Sequence, residues 1–225
     1  MRLQIYFTLF RQGCQHFSKL DIFAFIRYNR TNFIGQFVTI LSVNKTKENR
    51  WALCAHFYLI MQKTKNLTRG ALLAAAYVVL TYLQNFIFPN STSFVIQFRA
   101  SEALCVLALF FPAAIPGLSV GCFLYNLSYT VALPLDPIVG TLATFLATTG
   151  MYFLRNIKLK GLPLLSLLMP ALFNAILIGW ELNLYIGGGF WINALYVAIG
   201  EAAVLLTLGT ALYFALKPHA ARFTV

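Results

Sequence analysis

Charge is what this sequence has least of. Only 10% of its 225 residues are Asp, Glu, Lys or Arg, where a soluble domain carries about 25%, so an ordinary water-soluble domain is excluded. Histidine is almost missing: the three that occur are His16, His56 and His219, all outside the apolar body of the chain. GLSVG at Gly117 to Gly121 matches a nucleophile elbow, but it has neither a histidine base nor a strand to carry it. There is no GxxxxGK[ST] phosphate loop and no HExxH, which removes P-loop ATP hydrolysis and zinc peptidase chemistry. No metal or cofactor is expected. The four cysteines show no CxxC spacing, and Cys105 and Cys122 lie inside apolar runs, where they read as packing residues. The period-two alternation of a membrane barrel strand is also lacking.

Apolar residues take up the room that charge leaves. They make up 60% of the chain and recur in segments near the ~20 residues needed to cross about 30 Å of hydrocarbon. The fold class expected is an all-α integral membrane protein. From Met61 onward the chain reads as six spans: Leu67 to about Phe88, Ala100 to Phe111, Ile115 to Thr130, Pro137 to Leu154, Leu162 to Tyr185, and Phe190 to Leu216. The second and third are short, which suggests tilting or partial insertion. Residues 1–60 do not match this pattern. They hold eight basic residues and two acids, with apolar pieces such as FIGQFVTILSV and WALCAHFYLIM that are too short to span. The expected organisation is a non-matching extension over 1–60, from a misassigned start or a disordered segment, and a membrane domain over 61–225.

Basic residues set the orientation. With Met61 inside, Lys63, Lys65, Arg69, Arg155, Lys158, Lys160, Lys217 and Arg222 all fall on inner segments, and Arg99 alone falls outside. Positive residues collect on the cytoplasmic side, so both termini are expected there, in a six-helix bundle that crosses the cell membrane repeatedly. Glu102, Asp136 and Glu181 then lie toward the outer face. Glu201, about eleven residues into the last span, lies near mid-membrane, and Asn126 and Asn174 lie at similar depths.

Buried ionisable groups in a membrane cost several kcal/mol unless paired, and so mark sites or pathways. Each polar residue nevertheless has a plain structural reading. Asn126 and Asn174 serve equally as interhelical hydrogen-bond glue, Asp136 as a helix N-cap, and Arg99 with Glu102 as a pair on one helix face or a clamp over a ligand. Glu181 and Glu201 are harder to explain structurally, because Arg99 is the only outer cation available to both. They suggest a ligand that brings N–H donors or a positive charge. Trp180, Trp191, Tyr125, Tyr129 and Tyr185 read first as an interfacial belt. Ala71 and Ala75, four apart, make a smooth helix face for packing within the bundle or against a partner.

Several blocks together resemble the QueT family of substrate-binding S components of energy-coupling-factor transporters. They are LTRGALLAAAYVVLT (67–81), IQFRASEAL (96–104), FPAAIPGLSVGCFLYNL (111–127), LDPIVGTLAT (135–144) and VAIGEAAVLLTLG (197–209). The resemblance covers nearly all of 61–216 and none of 1–60. It implies a substrate-capture subunit with no chemistry of its own. Its partners would be a transmembrane coupling subunit, docked on Ala71 and Ala75, and two ATPase subunits. The implied cargo is a queuosine precursor, a small 7-deazaguanine-type base. Gln97, Arg99 and Glu102 would form an outer rim over a floor of Asn126, Asn174, Glu181 and Glu201, and FPNSTSFVIQFRASE (88–102) a lid. The other readings left open are an S component for a vitamin, an ion-coupled transporter, and a membrane enzyme using Glu181 and Glu201 as acid and base.

Overall fold

A computed structural model describes residues 47–89, 91, 97–129, 132–159 and 161–222. The chain divides into two compact units, Met1–Thr64 and Lys65–Val225, and the second holds every residue named above as a site. Residues 1–46 and six residues of the expected lid (90 and 92–96) fall outside the described residues. Among the described residues the protein is helical, with one isolated bridge, Leu159 to Leu162, in place of a sheet.

Helix α1 runs Lys47–Ile87, α2 Ala114–Ser128, α3 Asp136–Leu154, α4 Leu164–Leu167, α5 Met169–Tyr185, α6 Phe190–Val204 and α7 Thr210–Leu216. Four helical stretches are long and apolar enough to cross a membrane: Leu59–Ile87, Asp136–Leu154, Leu164–Tyr185 and Phe190–Ala220. Ala100–Leu109 and Ala114–Ser128 are apolar but shorter, at the places read as the second and third spans. WALCAHFYLIM is not an irregular fragment. It belongs to α1, which begins well before Met61.

Three departures from regular α-helix share one region. Ala100–Leu109 is a 3₁₀-helix of ten residues, long for a geometry whose runs rarely exceed four. At about 2.0 Å per residue it reaches farther than an α-helix of equal length. It runs through the bundle, with eight of its ten residues buried. Against it pack α3 and Leu205–Gly209, a π-helical segment between α6 and α7, so the last span is not one uniform helix. The fifth is also broken, at Leu168 between α4 and α5, just before Pro170.

Small residues decide how closely the helices approach. A Cβ on Gly117 of α2 would lie 2.6 Å from the Gly70 carbonyl oxygen, and one on Gly121 would lie 2.9 Å from that of Ala74. The α1–α2 crossing is therefore backbone against backbone. Helices α5 and α6 form a hairpin closed through Gly187, Gly188 and Gly189, all with φ of 82–94°, a region costly for any other residue. Asn193 caps the turn by donating Nδ2 to the Gly187 carbonyl at 2.8 Å. The hairpin crosses most tightly at Gly179, where a Cβ would meet Ala194 Cα at 2.8 Å.

Candidate functional site

The buried stripe of α1 is Gly70, Ala74, Tyr77, Thr81 and Asn85, a spacing of three to four that keeps one helix face inward. Its N-terminal part is small and permits the crossing with α2, and the rest is polar. Tyr77 donates its hydroxyl to Glu102 Oε1 at 2.6 Å, and Thr81 donates to Ser101 Oγ at 2.8 Å. Asn85 Nδ2 donates to the Tyr125 hydroxyl. Gln84 grips the segment ahead of the 3₁₀-helix: its Oε1 accepts from the Ala100 N–H at 2.7 Å, and its Nε2 donates to the Phe98 carbonyl. On the far side of that segment a Cβ at Gly200 would lie 2.2 Å from the Gln97 carbonyl oxygen. The stretch 97–100 is thus held between Gln84 of α1 and the bare backbone of α6, one residue before Glu201.

This seating carries Arg99 inward. It is buried, and it is the one buried cation among the described residues. Four acids stand within electrostatic reach of it: Asp136 and Glu102, Glu181 and Glu201. The expected Arg99–Glu102 pair on a helix face does not form. Arg99 is extended backbone ahead of the 3₁₀-helix, and the Glu102 carboxylate is held by Tyr77 and by Cys105 Sγ, which donates at 3.2 Å. Asp136 does not cap its own helix; its Oδ2 accepts from the Leu133 N–H at 2.8 Å and secures the turn that leads into α3. Asn126 joins α2 to α3 by donating Nδ2 to the Asp136 carbonyl at 3.1 Å. Gly140 leaves it the room, since a Cβ there would lie 2.6 Å from that Nδ2.

The atoms left without partners are the informative ones. Both oxygens of Glu181, both oxygens of Glu201, Asn126 Oδ1 and Arg99 Nε are buried without a hydrogen bond. Asp136 stands beside Glu181, and Asn174, Glu102 and Arg99 stand around Glu201. A buried polar group normally has a partner, and an unpaired one costs about 1–3 kcal/mol, more when charged. Apart from the hydroxyls of Thr149 and Ser166, which also lack partners, the set is lopsided: five acceptor oxygens against a single donor. Such a surface complements a molecule rich in N–H groups that also carries an acceptor.

Gln97, Arg99, Glu102, Asn126, Asn174, Glu181 and Glu201 are all buried and all belong to this one cluster. Gln97 joins it through its backbone, and Glu102 through the Tyr77 network. Tyr77, Gln84, Gly140 and Gly200 are residues that sequence reasoning passed over. Only the i, i+4, i+7 stripe on α1 could have pointed to Tyr77. Trp180, Trp191 and Tyr185 are exposed at 49%, 81% and 43%, which suits an interfacial belt. Tyr125 is buried and stacks on Tyr129, with ring centroids 5.3 Å apart. Ala71 and Ala75 face outward, roughly a quarter-turn around α1 from its buried stripe.

The model of one family, described as QueT transporter, matches residues 67–218. Nothing matches among curated proteins or solved structures.

Proposed function

This chain belongs to the QueT transporter family, and on that premise we propose how it serves transport: it captures a queuosine precursor, a 7-deazaguanine-type base, in the buried polar cluster. The chain is a membrane transporter protein with a small-molecule substrate, not an enzyme. The observation that carries the cargo reading is the set of unpartnered buried atoms. A guanine-type edge presents adjacent N–H donors that one carboxylate accepts as a pair, beside a carbonyl oxygen able to take the Arg99 Nε–H. Glu201 with Asn174 suits that edge.

Energy comes from elsewhere. No P-loop motif occurs in the sequence; the resemblance to S components implies a transmembrane coupling subunit and two ATPase subunits as the drive, with the outward Ala71 and Ala75 face of α1 as the docking surface. The membrane domain is residues 61–225, a six-helix bundle with both termini cytoplasmic. Thermal-shift and ligand-extraction measurements on purified protein against 7-deazaguanines, guanine and vitamins test the cargo. A shift with a deazaguanine is expected. A clear shift with a vitamin and none with any deazaguanine overturns the reading.

A further inference from the structure

The end of the 3₁₀-helix remote from Arg99 brings two cations onto one row of aromatic rings. Past Leu109 the chain turns through Phe110, Phe111 and Pro112 into α2. Phe110 stacks on Tyr213 of α7, with ring centroids 5.9 Å apart and planes 28° from parallel, and Tyr213 meets Phe214 edge-on at 5.6 Å. Lys217 closes one end of the row, its Nζ 5.9 Å from the ring centroids of both Tyr213 and Phe214. At the other end the Arg69 guanidinium lies 5.7 Å over the Phe111 ring. The close approach of α1 places it there: a Cβ on Gly70, the next residue, would lie 3.3 Å from the Ala113 carbonyl oxygen. Attraction to the ring faces holds each charge beside the row.

The row carries two positive charges and no negative one. The acids of the unit Lys65–Val225 are Glu102, Asp136, Glu181 and Glu201, and all of them stand around Arg99. The surface next to each cation is apolar. Leu72 and Phe214 lie three residues from Arg69 and Lys217, on the same helix faces, and are 71% and 54% exposed. On the proposed topology each lies toward mid-membrane from its cation, and the cations stand at the cytoplasmic edge. A positive level with apolar surface beneath it complements a molecule with an anionic head and hydrocarbon tails. An acidic peptide or a free phosphate would use the charges and leave the apolar surface uncovered.

We propose that the Phe110–Pro112 turn, with Arg69 and Lys217 at its sides, binds the headgroup of an anionic phospholipid of the inner leaflet, whose chains lie against the surface that Leu72 and Phe214 expose. The phosphate oxygens accept from the guanidinium and ammonium N–H groups, and each cation adds to the attraction of an anionic lipid. This site is separate from the buried cluster and does not depend on the cargo.

Native mass spectrometry of the purified full chain, titrated with phosphatidylglycerol and with zwitterionic phosphatidylcholine of the same chain length, tests the site. Phosphatidylglycerol is expected to bind at least about tenfold more tightly. Arg69→Gln and Lys217→Gln together are expected to bring the two lipids to within about threefold of each other. Lys158→Gln, at an exposed lysine beyond α3, is expected to leave the preference whole. Lys217→Gln alone, also at an exposed position, is expected to lower the preference by about threefold or more, and it carries the test if the paired variant does not fold. No preference in the wild type, a preference unchanged in Lys217→Gln or in the paired variant, or an equal loss in Lys158→Gln overturns the site. Displacement of the bound lipid by inorganic phosphate overturns the lipid assignment, since a free anion then suffices.

Discussion

Gly200 and Gly140 each keep open a space that one methyl group would fill, but the neighbours differ in how far they can yield. At Gly200 the obstacle is the Gln97 backbone carbonyl at 2.2 Å, which cannot move without the whole 97–100 segment that Gln84 holds. Gly200→Ala is therefore expected to cost about 1–3 kcal/mol of stability by overpacking and to displace Arg99. A lowered melting temperature together with lost ligand binding would show both effects. At Gly140 the obstacle is the end of the Asn126 side chain. Gly140→Ala is expected to break the Asn126–Asp136 bond, at about 0.5–1.5 kcal/mol, and to lower ligand affinity more than stability. Wild-type affinity in a folded Gly140→Ala protein would show that the Asn126 orientation is irrelevant to capture. Glu181 and Glu201 were legible in the sequence because a carboxylate inside an apolar run needs a partner wherever it points. Tyr77, Gln84 and the two glycines were not, because their roles depend on which residues the bundle brings opposite them.

Helix α1 carries two faces with different duties. One side is the stripe from Gly70 to Asn85 that meets α2 and the 3₁₀-helix; a neighbouring side exposes Ala71 and Ala75. Substituting Ala75 by Trp is expected to leave base binding by the isolated chain intact and to abolish co-purification with the coupling subunit. Loss of base binding in that variant would place Ala75 in the packing of the bundle instead. The apolar spacing that marks helices was readable throughout, as were the turn glycines 187–189. The 3₁₀ and π geometry was not readable, because both depend on tertiary packing: a stretched Ala100–Leu109 lies against a π-helical Leu205–Gly209 and fits no local propensity. WALCAHFYLIM (51–61) is helical although it reads as too short to span, since α1 starts at Lys47 while its membrane-length stretch starts only at Leu59.

At the scale of the molecule, polarity is distributed unevenly. Glu181 lies near the C-terminal end of α5 and Glu201 within the long Phe190–Ala220 stretch, while Arg155 and Lys217 follow the C-terminal ends of α3 and α7. The proposed topology, drawn from the positive residues, puts the acid cluster outward. A cysteine placed at Lys158 is expected to react only with reagent supplied from the cytoplasmic side, and one at Ile186 only from outside; the reverse labelling would invert the topology. Unpaired buried carboxylates also weaken the empty protein, since groups kept for binding are often paid for in stability. The most direct measurement is therefore a paired one on Glu201→Gln, with the 7-deazaguanine affinity and the melting temperature of the unliganded protein taken together. Affinity is expected to fall by about a hundredfold or more while the melting temperature holds or rises. Wild-type affinity in a folded Glu201→Gln protein would contradict the buried cluster as the place of capture.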